Sequence, residues 1–167
     1  MTAPPRKKAD YMSVNNNLPI QLRQYKQSDL NFVASCFLSS RKQEEQFSQY
    51  SSHELYNVNM RKLFNRILED SQIIICYLDP KEGEEEILLG YILYQYYQFS
   101  YLIIHHAFVK SPFRKQGIFK EMFSTITAPN MPTFITCPVP RQLQKKYDII
   151  SNPFFFLENY IYAQNIL

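Results

Sequence analysis

Glycine is scarce in this sequence: three occur among 167 residues, whereas typical usage of about 7 % would give roughly a dozen. Glycine supplies backbone conformations with positive φ and lets two main chains approach closely. A glycine-rich repeat, a collagen-like chain and a flexible Gly/Ser linker are therefore excluded. Because the chain uses so few glycines, the positions of Gly83, Gly90 and Gly117 are informative.

Cysteine and long apolar runs are also scarce. The three cysteines, Cys36, Cys76 and Cys137, are far apart, and no CxxC pair or Cys/His cluster occurs. We expect no disulfide framework, no metal site and a reducing compartment. The start lacks the apolar core of a signal peptide, and no run of about 18 apolar residues follows. We therefore expect a cytoplasmic protein that does not enter a membrane.

Neither sign of charge dominates the chain. The formal net charge is +3 and no RNA-binding signature occurs, so nucleic acid is not an expected partner. Hydrophobic residues make up 46 % of the chain and aromatic residues 16 %, which is enough for a sizeable core and argues against wholesale disorder. The length predicts one domain, because domains usually hold about 100–150 residues.

Residues 1–17 are predicted to be a flexible N-terminal tail with a basic run at positions 6–8, and residues 18–167 to be the domain. Hydrophobic periodicity in the domain predicts the order β-α-α-β-β-β-α-β-α-β. The strands are expected at 20–25, 72–78, 87–97, 99–109, 133–137 and 149–150. The helices are expected at 30–38 (with a polar continuation towards 52), 53–68, 116–126 and 141–147, and residues 154–157 are a further strand candidate.

The predicted order has consequences for the sheet. Early hairpins and a later strand–helix–strand crossover predict an α+β fold with a mixed, mostly antiparallel sheet flanked by helices. The segment 72–78 is apolar enough for an interior strand. Gly83 is expected in a hairpin turn, and Gly90 within a strand at a bulge.

One window, residues 107–123, has the pattern of an anion site. A predicted strand ends, a loop carries Arg114 and Lys115, and Gly117 stands where a helix begins. The first turn of a helix has unpaired N–H groups and positive partial charge. A glycine there lets a phosphate reach the backbone, and the two cations add charge. A surface turn with two solvated charges is the alternative that these residues leave open.

The run Arg114-Lys115-Gln116-Gly117-Ile118-Phe119 is similar to the (Gln/Arg)-x-x-Gly-x-(Gly/Ala) signature of the GCN5-related N-acetyltransferases, the GNAT superfamily. The order of elements over roughly residues 18–157 resembles that family as well. The segment from Phe108 to Ile118, with Asn152-Pro153-Phe154 near the end, particularly resembles small GNAT-like proteins encoded by bacteriophages. The resemblance implies a single GNAT-like domain, with a location in the host cytoplasm or the virion if the protein is viral.

The resemblance also implies a co-substrate, acetyl-coenzyme A. The backbone amides of Gln116, Gly117, Ile118 and Phe119 would hold its pyrophosphate, with Arg114 at the first signature position and Lys115 beside it. The main chain near Phe108 and Val109 would pair with the pantetheine arm, where the family's strand splays from its neighbour. The acetyl group would pass directly to an amine, which requires a base, an oxyanion donor and an acid for the thiolate.

Three residues are candidates for the acid–base chemistry. Many family members place a glutamate base on the strand before the signature, but this strand carries His105 and His106 instead. Strand alternation predicts that they face opposite sides of the sheet, and a histidine with a pKa near 6.5 suits a general base. Tyr147 lies where the family often has a tyrosine as thiolate acid. Cys137 is expected to be a buried structural thiol.

Two functions therefore remain open. The first is an acetyl-CoA-dependent N-acyltransferase acting on a primary amine. The second is a GNAT-fold binding or structural module without turnover, such as a bacteriophage virion or assembly component. Phe119, which stands where the family has a small residue, the missing strand glutamate and the basic tail favour the second. Arg114 and Gly117 in their context favour the first. The tail and an exposed part of the tyrosine cluster at positions 91, 94, 96, 97 and 101 are candidate surfaces for phage or host proteins, and oligomerisation is left open.

Overall fold

The structure is a computed structural model that describes residues 19–42, 53–80, 85–98 and 100–152. Its elements follow the predicted order. They are β1 (Ile20–Gln24), α1 (Leu30–Lys42), α2 (His53–Asp70), β2 (Gln72–Leu78), β3 (Ile87–Tyr97), β4 (Tyr101–Val109), α3 (Ile118–Ile126), β5 (Thr133–Ile135), α4 (Arg141–Tyr147) and β6 (Ile149–Ser151). Single turns of 3₁₀ helix, Gln27–Asp29 and Ser111–Phe113, precede α1 and follow β4.

Several predictions concern residues outside the described ranges. These are the N-terminal tail, the loop between α1 and α2, the turn at Gly83, the residues after Asn152 and the strand candidate at 154–157. Within the described ranges, no helix is long and apolar enough to cross a bilayer.

The strands form one six-stranded sheet in the order β1-β2-β3-β4-β5-β6. The first four are antiparallel to their neighbours, whereas β5 is parallel to β4 and β6 is parallel to β5. The expected mixed sheet and the interior position of residues 72–78 are confirmed. The parallel pairing follows from the crossover through α3, because a helix must carry the chain back before a parallel strand can form.

Helices cover both faces of the sheet. On one face, Val33 and Phe37 of α1 and Phe64 and Ile67 of α2 pack on side chains of β2 and β3, including Tyr91. On the other face, α3 buries Ile118, Met122, Phe123 and Ile126 against all the strands from β2 to β6. The spacing of the four α3 residues is the helical period, so a single apolar stripe faces the sheet.

The tyrosine cluster divides as expected between core and surface. Tyr91 and Tyr94 are buried, whereas the exposed fractions of Tyr96 and Tyr101 are 38 % and 36 %. Tyr96 nevertheless donates a hydrogen bond from its hydroxyl to the carbonyl oxygen of Ile126, over 2.7 Å. The exposed part of this cluster is therefore partly used to hold the end of α3.

A bulge lies beside Gly90, as the sequence predicts. The pairing of β2 with β3 shifts between Cys76 and Tyr77, and Cys76 faces Gly90. A Cβ atom on Gly90 would lie 2.4 Å from the carbonyl oxygen of Phe108 on β4. Glycine is therefore needed here because the main chain of β4 approaches too closely for a side chain.

Candidate active site

The loop between β4 and α3 is built on two left-handed residues. Lys115 has φ +66° and Gly117 has φ +83°, a region that side-chain-bearing residues rarely adopt. Gly117 is the N-cap of α3, so the helix begins at Ile118 and not at Gln116, where its apolar spacing starts. The positive φ of Gly117 is the physical reason for this later start.

The space beside Gly117 is open. A Cβ atom built on this residue would meet nothing within 4 Å. The first bond of α3 runs from the amide of Glu121 to the carbonyl of Gly117, over 3.0 Å. The amides of the preceding residues in the first turn therefore have no acceptor within the helix, and they give this open space a positive potential.

The side chains of the signature support the loop and add charge. Arg114 Nε donates to the carbonyl oxygen of Val109 over 2.9 Å, and Gln116 Nε2 donates to that of Pro112 over 3.1 Å. Arg114, Lys115 and Lys120 are all exposed. The first turn of α3 is thus bordered by solvent-facing cations, and Arg114 ties the loop to the end of β4.

Phe119 does not fill the open space. Its ring stacks on Phe123, one helical turn later, with the ring centroids 5.7 Å apart. It also meets Tyr147 of α4 edge to face at 5.1 Å. The ring therefore lies along the side of α3 and stays out of the space beside Gly117, although the family signature has a small residue at this position.

Strand β4 has an unpaired edge next to this loop. Its pairing with β5 covers only Leu102, Ile103 and Ile104, and one further bond joins the amide of Thr136 to the carbonyl of Ile104. Beyond that point, β4 pairs through Val109 with β3 on its other side. Among the described strands, none covers the β5-facing edge at Phe108 and Val109, which is where the resemblance implies a bound pantetheine arm.

The two histidines lie on the same face of the sheet, so the prediction that they face opposite sides is wrong. Leu93 pairs with His106 and Tyr94 pairs with Ile104, which makes His105 an extra, bulged residue. His105 Nε2 lies 3.1 Å from Oε1 of Gln95, and His106 Nδ1 lies 2.8 Å from the hydroxyl of Tyr91. Both partners project towards α1 and α2. A bulge resets the alternation on which the prediction depended.

Both histidines are almost completely buried, with exposed fractions of 1 % for His105 and 4 % for His106. His106 bridges the sheet and α1, because its Nε2 lies 2.6 Å from Ser40 Oγ and its ring packs edge to face on Phe37. The hydroxyl of Tyr91 in turn donates to the carbonyl of Val33 over 3.1 Å. This hydrogen-bonded chain fastens α1 to β3 and β4.

His105 stands where β4 and β5 separate. Its Nδ1 is 3.4 Å from Oγ1 of Thr136, the residue that follows β5. No pattern in the sequence indicated Thr136 or Ser40 as partners of the histidines. Gln95 interrupts a run of large side chains in β3, and this lone amide is the signal from which its partnership could have been predicted.

Tyr147 lies on the opposite face from the histidines. It ends α4, packs on Phe119 and Phe123, and has the ammonium of Lys146 5.4 Å from its ring centroid. The structure therefore brings Tyr147 together with the first turn of α3, and brings His105 to the end of the β4–β5 pairing. It does not gather the three candidates on one face of the sheet.

Two of the three cysteines, Cys76 and Cys137, are buried, and Cys36 is partly buried. Cys137 is buried, which confirms the expected environment of its thiol, and Cys76 is fully buried. Burial raises the pKa of the Cys76 thiol to about 11, so the reactive thiolate is rare at neutral pH. Within the described ranges, no group of three or more metal-ligating side chains is found.

Comparison with solved structures finds proteins to which this chain is similar. A proposed acetyl transferase from Pyrococcus furiosus is 13 % identical over 84 % of this chain and 90 % of its own, with a TM-score of 0.51. A candidate acetyltransferase from Clostridium difficile is 15 % identical over 77 % of this chain and 86 % of its own, with a TM-score of 0.49. A candidate GNAT-family acetyltransferase from Staphylococcus aureus is 22 % identical over 63 % and 86 %, with a TM-score of 0.45.

No protein-family model and no curated protein matches the chain. At such low identity, the likeness to the Pyrococcus protein shows the fold alone. This chain has the α+β fold of GNAT acetyltransferases: a mixed six-stranded sheet flanked by helices. The fold class implied by the sequence is confirmed.

Proposed function

We propose that the protein is an acetyl-CoA-dependent N-acyltransferase that acetylates a primary amine. The observation that carries this proposal is the open first turn of α3 at Gly117, placed beside the unpaired edge of β4. A helix N-terminus of this kind accepts a phosphate, and a free strand edge accepts the amides of an extended arm. The two features lie on either side of one short loop, so a single elongated ligand can use both.

Each end of the co-substrate would have its own partners. The backbone amides of Gln116–Phe119 would bind the pyrophosphate, with the charges of Arg114 and Lys115 beside it. The main chain of Phe108 and Val109 would bind the pantetheine arm. Acetyl-CoA supplies an acetyl group activated as a thioester. The role of the chain is to hold that thioester at the point where β4 and β5 separate.

His105 is the better placed of the two histidines for the base. His105 Nε2 lies 3.1 Å from Oε1 of Gln95, and the hydroxyl of Thr136 donates to the carbonyl oxygen of His105 over 3.5 Å. Nδ1 points to Thr136, at the end of the β4–β5 pairing. Both ring nitrogens of His106 are already within hydrogen-bonding distance of Tyr91 and Ser40. Tyr147, whose ring packs on Phe119 and Phe123 of α3, is the proposed acid for the departing thiolate.

One observation favours the second candidate, a GNAT-fold module without turnover. Both histidines are buried, and each ring nitrogen of both lies within hydrogen-bonding distance of a side chain. Such residues stabilise a fold whether or not they transfer protons. A place in a phage particle or its assembly remains a prediction from the resemblance.

Thermal unfolding with millimolar coenzyme A tests the cofactor site. A ligand at 100 times its Kd stabilises the native state by about 2.7 kcal/mol, so the Tm should rise by several degrees. Arg114→Glu should reduce this rise, because it places a carboxylate next to the phosphate site. Arg61→Glu is the matched control, because this exposed arginine lies on α2, and it should keep the full rise.

Acetyl transfer is then measured with three amines: a lysine-containing peptide, a peptide with a free N-terminus, and spermidine. Transfer to any of them above the uncatalysed rate supports the enzyme. A Tm that does not move with coenzyme A contradicts the proposed cofactor site. A rise in Tm without transfer supports the module that binds coenzyme A and does not turn over.

A further inference from the structure

The ring of Tyr147 is packed against two aromatic rings of α3. Its centroid is 5.1 Å from that of Phe119 and 5.3 Å from that of Phe123, and both contacts are edge to face. Phe119 and Phe123 stack on each other with 19° between their planes. Aromatic rings in such arrangements have preferred mutual orientations, so the three rings define the direction of the Tyr147 phenol.

Most other side chains of α4 face solvent. Of the α4 side chains, Tyr147 is the one that packs on the core beneath α3. The other residues from Arg141 to Lys146 are exposed except Gln144, which bonds back to the carbonyl of Val139 over 2.8 Å. The helix ends at Tyr147, and Asp148 is left-handed with φ +51°. The aromatic contacts of the Tyr147 ring are therefore with the two rings of α3.

Phe119 connects Tyr147 to the candidate phosphate site. It is the second residue of α3 and lies two positions after Gly117, and its side chain leaves the space beside Gly117 open. Phe123 is a turn further from the site. Of the two rings that contact Tyr147, that of Phe119 is thus the one attached to the first turn itself.

We propose that Phe119 is a positioning residue that holds the Tyr147 phenol in place for its proposed role as the acid for the departing thiolate. This inference rests on the proposed function. It accounts for an aromatic residue at a signature position where the family has a small one: the amide serves the phosphate, and the ring serves Tyr147.

Tyr147 would act in the step that breaks the thioester bond. The amine nitrogen attacks the acetyl carbonyl carbon, and the resulting intermediate collapses with cleavage of the C–S bond. The electron pair of that bond goes to sulfur, which takes the proton of the Tyr147 hydroxyl. The nitrogen gives up its extra proton to the base, and the phenolate recovers a proton from water.

A double-mutant cycle tests the inference on the full chain, with acetyl-CoA and the fastest of the three amines. Tyr147→Phe should lower kcat about 100-fold, the lower end of typical general-acid effects. Phe119→Leu should lower kcat about 10-fold with the KM for acetyl-CoA within about threefold, because its amide is retained. In the Tyr147→Phe background, Phe119→Leu should change kcat less than about twofold, since it acts through the missing hydroxyl.

Two controls separate positioning from packing. Phe119→Tyr keeps the ring and should retain most of the activity. Phe64→Leu makes the same substitution in the core on the other face, and should lower Tm without lowering kcat. If Phe119→Leu lowers kcat equally in both backgrounds, or no more than Phe64→Leu does, the positioning role is overturned while the enzyme stands. A wild-type protein that transfers no acetyl group overturns the proposed function, and this inference with it.

Discussion

Gly90 and Gly117 are both required, but for different physical reasons. Gly117 needs a left-handed backbone and has empty space where a side chain would be. Gly90 has a main-chain oxygen of β4 only 2.4 Å from where its Cβ would lie. The first residue is constrained by its own dihedral angles and the second by a neighbouring strand, and substitutions can separate the two causes.

Gly117→Ala is expected to lower the free energy of unfolding by about 1–2 kcal/mol, the cost of a left-handed alanine. Gly117→Asn should cost less, because asparagine adopts this conformation more readily. Gly90→Ala should cost about 3 kcal/mol, because a main-chain strand must move. Urea denaturation measures all three variants. Equal losses for Gly117→Ala and Gly117→Asn would show that φ is not what requires glycine there.

At the scale of elements, an ion network joins β1, the 3₁₀ turn before α1 and the residue before β3. Arg23 donates to both carboxylate oxygens of Asp29, over 2.6 and 3.0 Å, and to Glu86. Asp29 Oδ2 also accepts the amide of Lys26 over 2.8 Å. Asp29 therefore caps the 3₁₀ turn that leads into α1. Its side chain is only 4 % exposed.

The hydrogen bonds from Arg23 hold the pKa of Asp29 below its usual range, despite the opposing effect of burial. The folded state therefore binds fewer protons than the unfolded state in acid. The stabilisation is complete above the unfolded pKa, about 3.9, and is lost as the pH falls through the lower folded pKa.

Asp29→Asn should accordingly lower the free energy of unfolding at pH 7 by about 2 kcal/mol, typical of hydrogen bonds to charged groups. It should also flatten the loss of stability between about pH 5 and 2. Urea denaturation across this range checks both effects. Asp70→Asn, at an exposed position at the end of α2, is the control and should leave the acid limb unchanged. If the stability of Asp29→Asn still falls steeply with decreasing pH, a group other than Asp29 causes the loss of stability in acid.

At the scale of the whole molecule, two cores share one sheet. Tyr91 and Leu93 of β3 point into the core under α1 and α2, while Ile92 and Tyr94 of the same strand point into the core under α3. Because both cores pack on the same strands, disruption of the sheet in one core would also expose the side chains of the other. The described part of the chain should therefore unfold as one cooperative unit.

Phe37→Ala under α1 and Met122→Ala under α3 should each lower the free energy of unfolding by about 3 kcal/mol. Each variant should still show a single transition. The chain has no tryptophan and thirteen tyrosines, so tyrosine fluorescence and far-ultraviolet circular dichroism are suitable independent probes. Their midpoints should coincide in the wild type and in both variants. Separate midpoints in either variant would mean that the two cores unfold independently.

Much of the fold could be predicted from the sequence because its elements are locally encoded. The periods of two and 3.6 residues place the described strands and helices in the right order, and 72–78, 87–97 and 141–147 have the bounds that were predicted. The boundaries that differ depend on backbone angles or pairing. Gly117 delays the start of α3, and β5 ends at Ile135 because its pairing with β4 stops there.

The sequence by itself determined the order of elements, the α+β class and the position of a glycine where a helix begins after two basic loop residues. It could do so because side-chain period, turn residues and capping act within a few neighbouring residues. The tertiary structure alone decided that the bulge at His105 puts both histidines on one face, and that the ring of Phe119 turns towards Tyr147. Those outcomes depend on registers and packing between segments far apart in the chain, which no local pattern encodes.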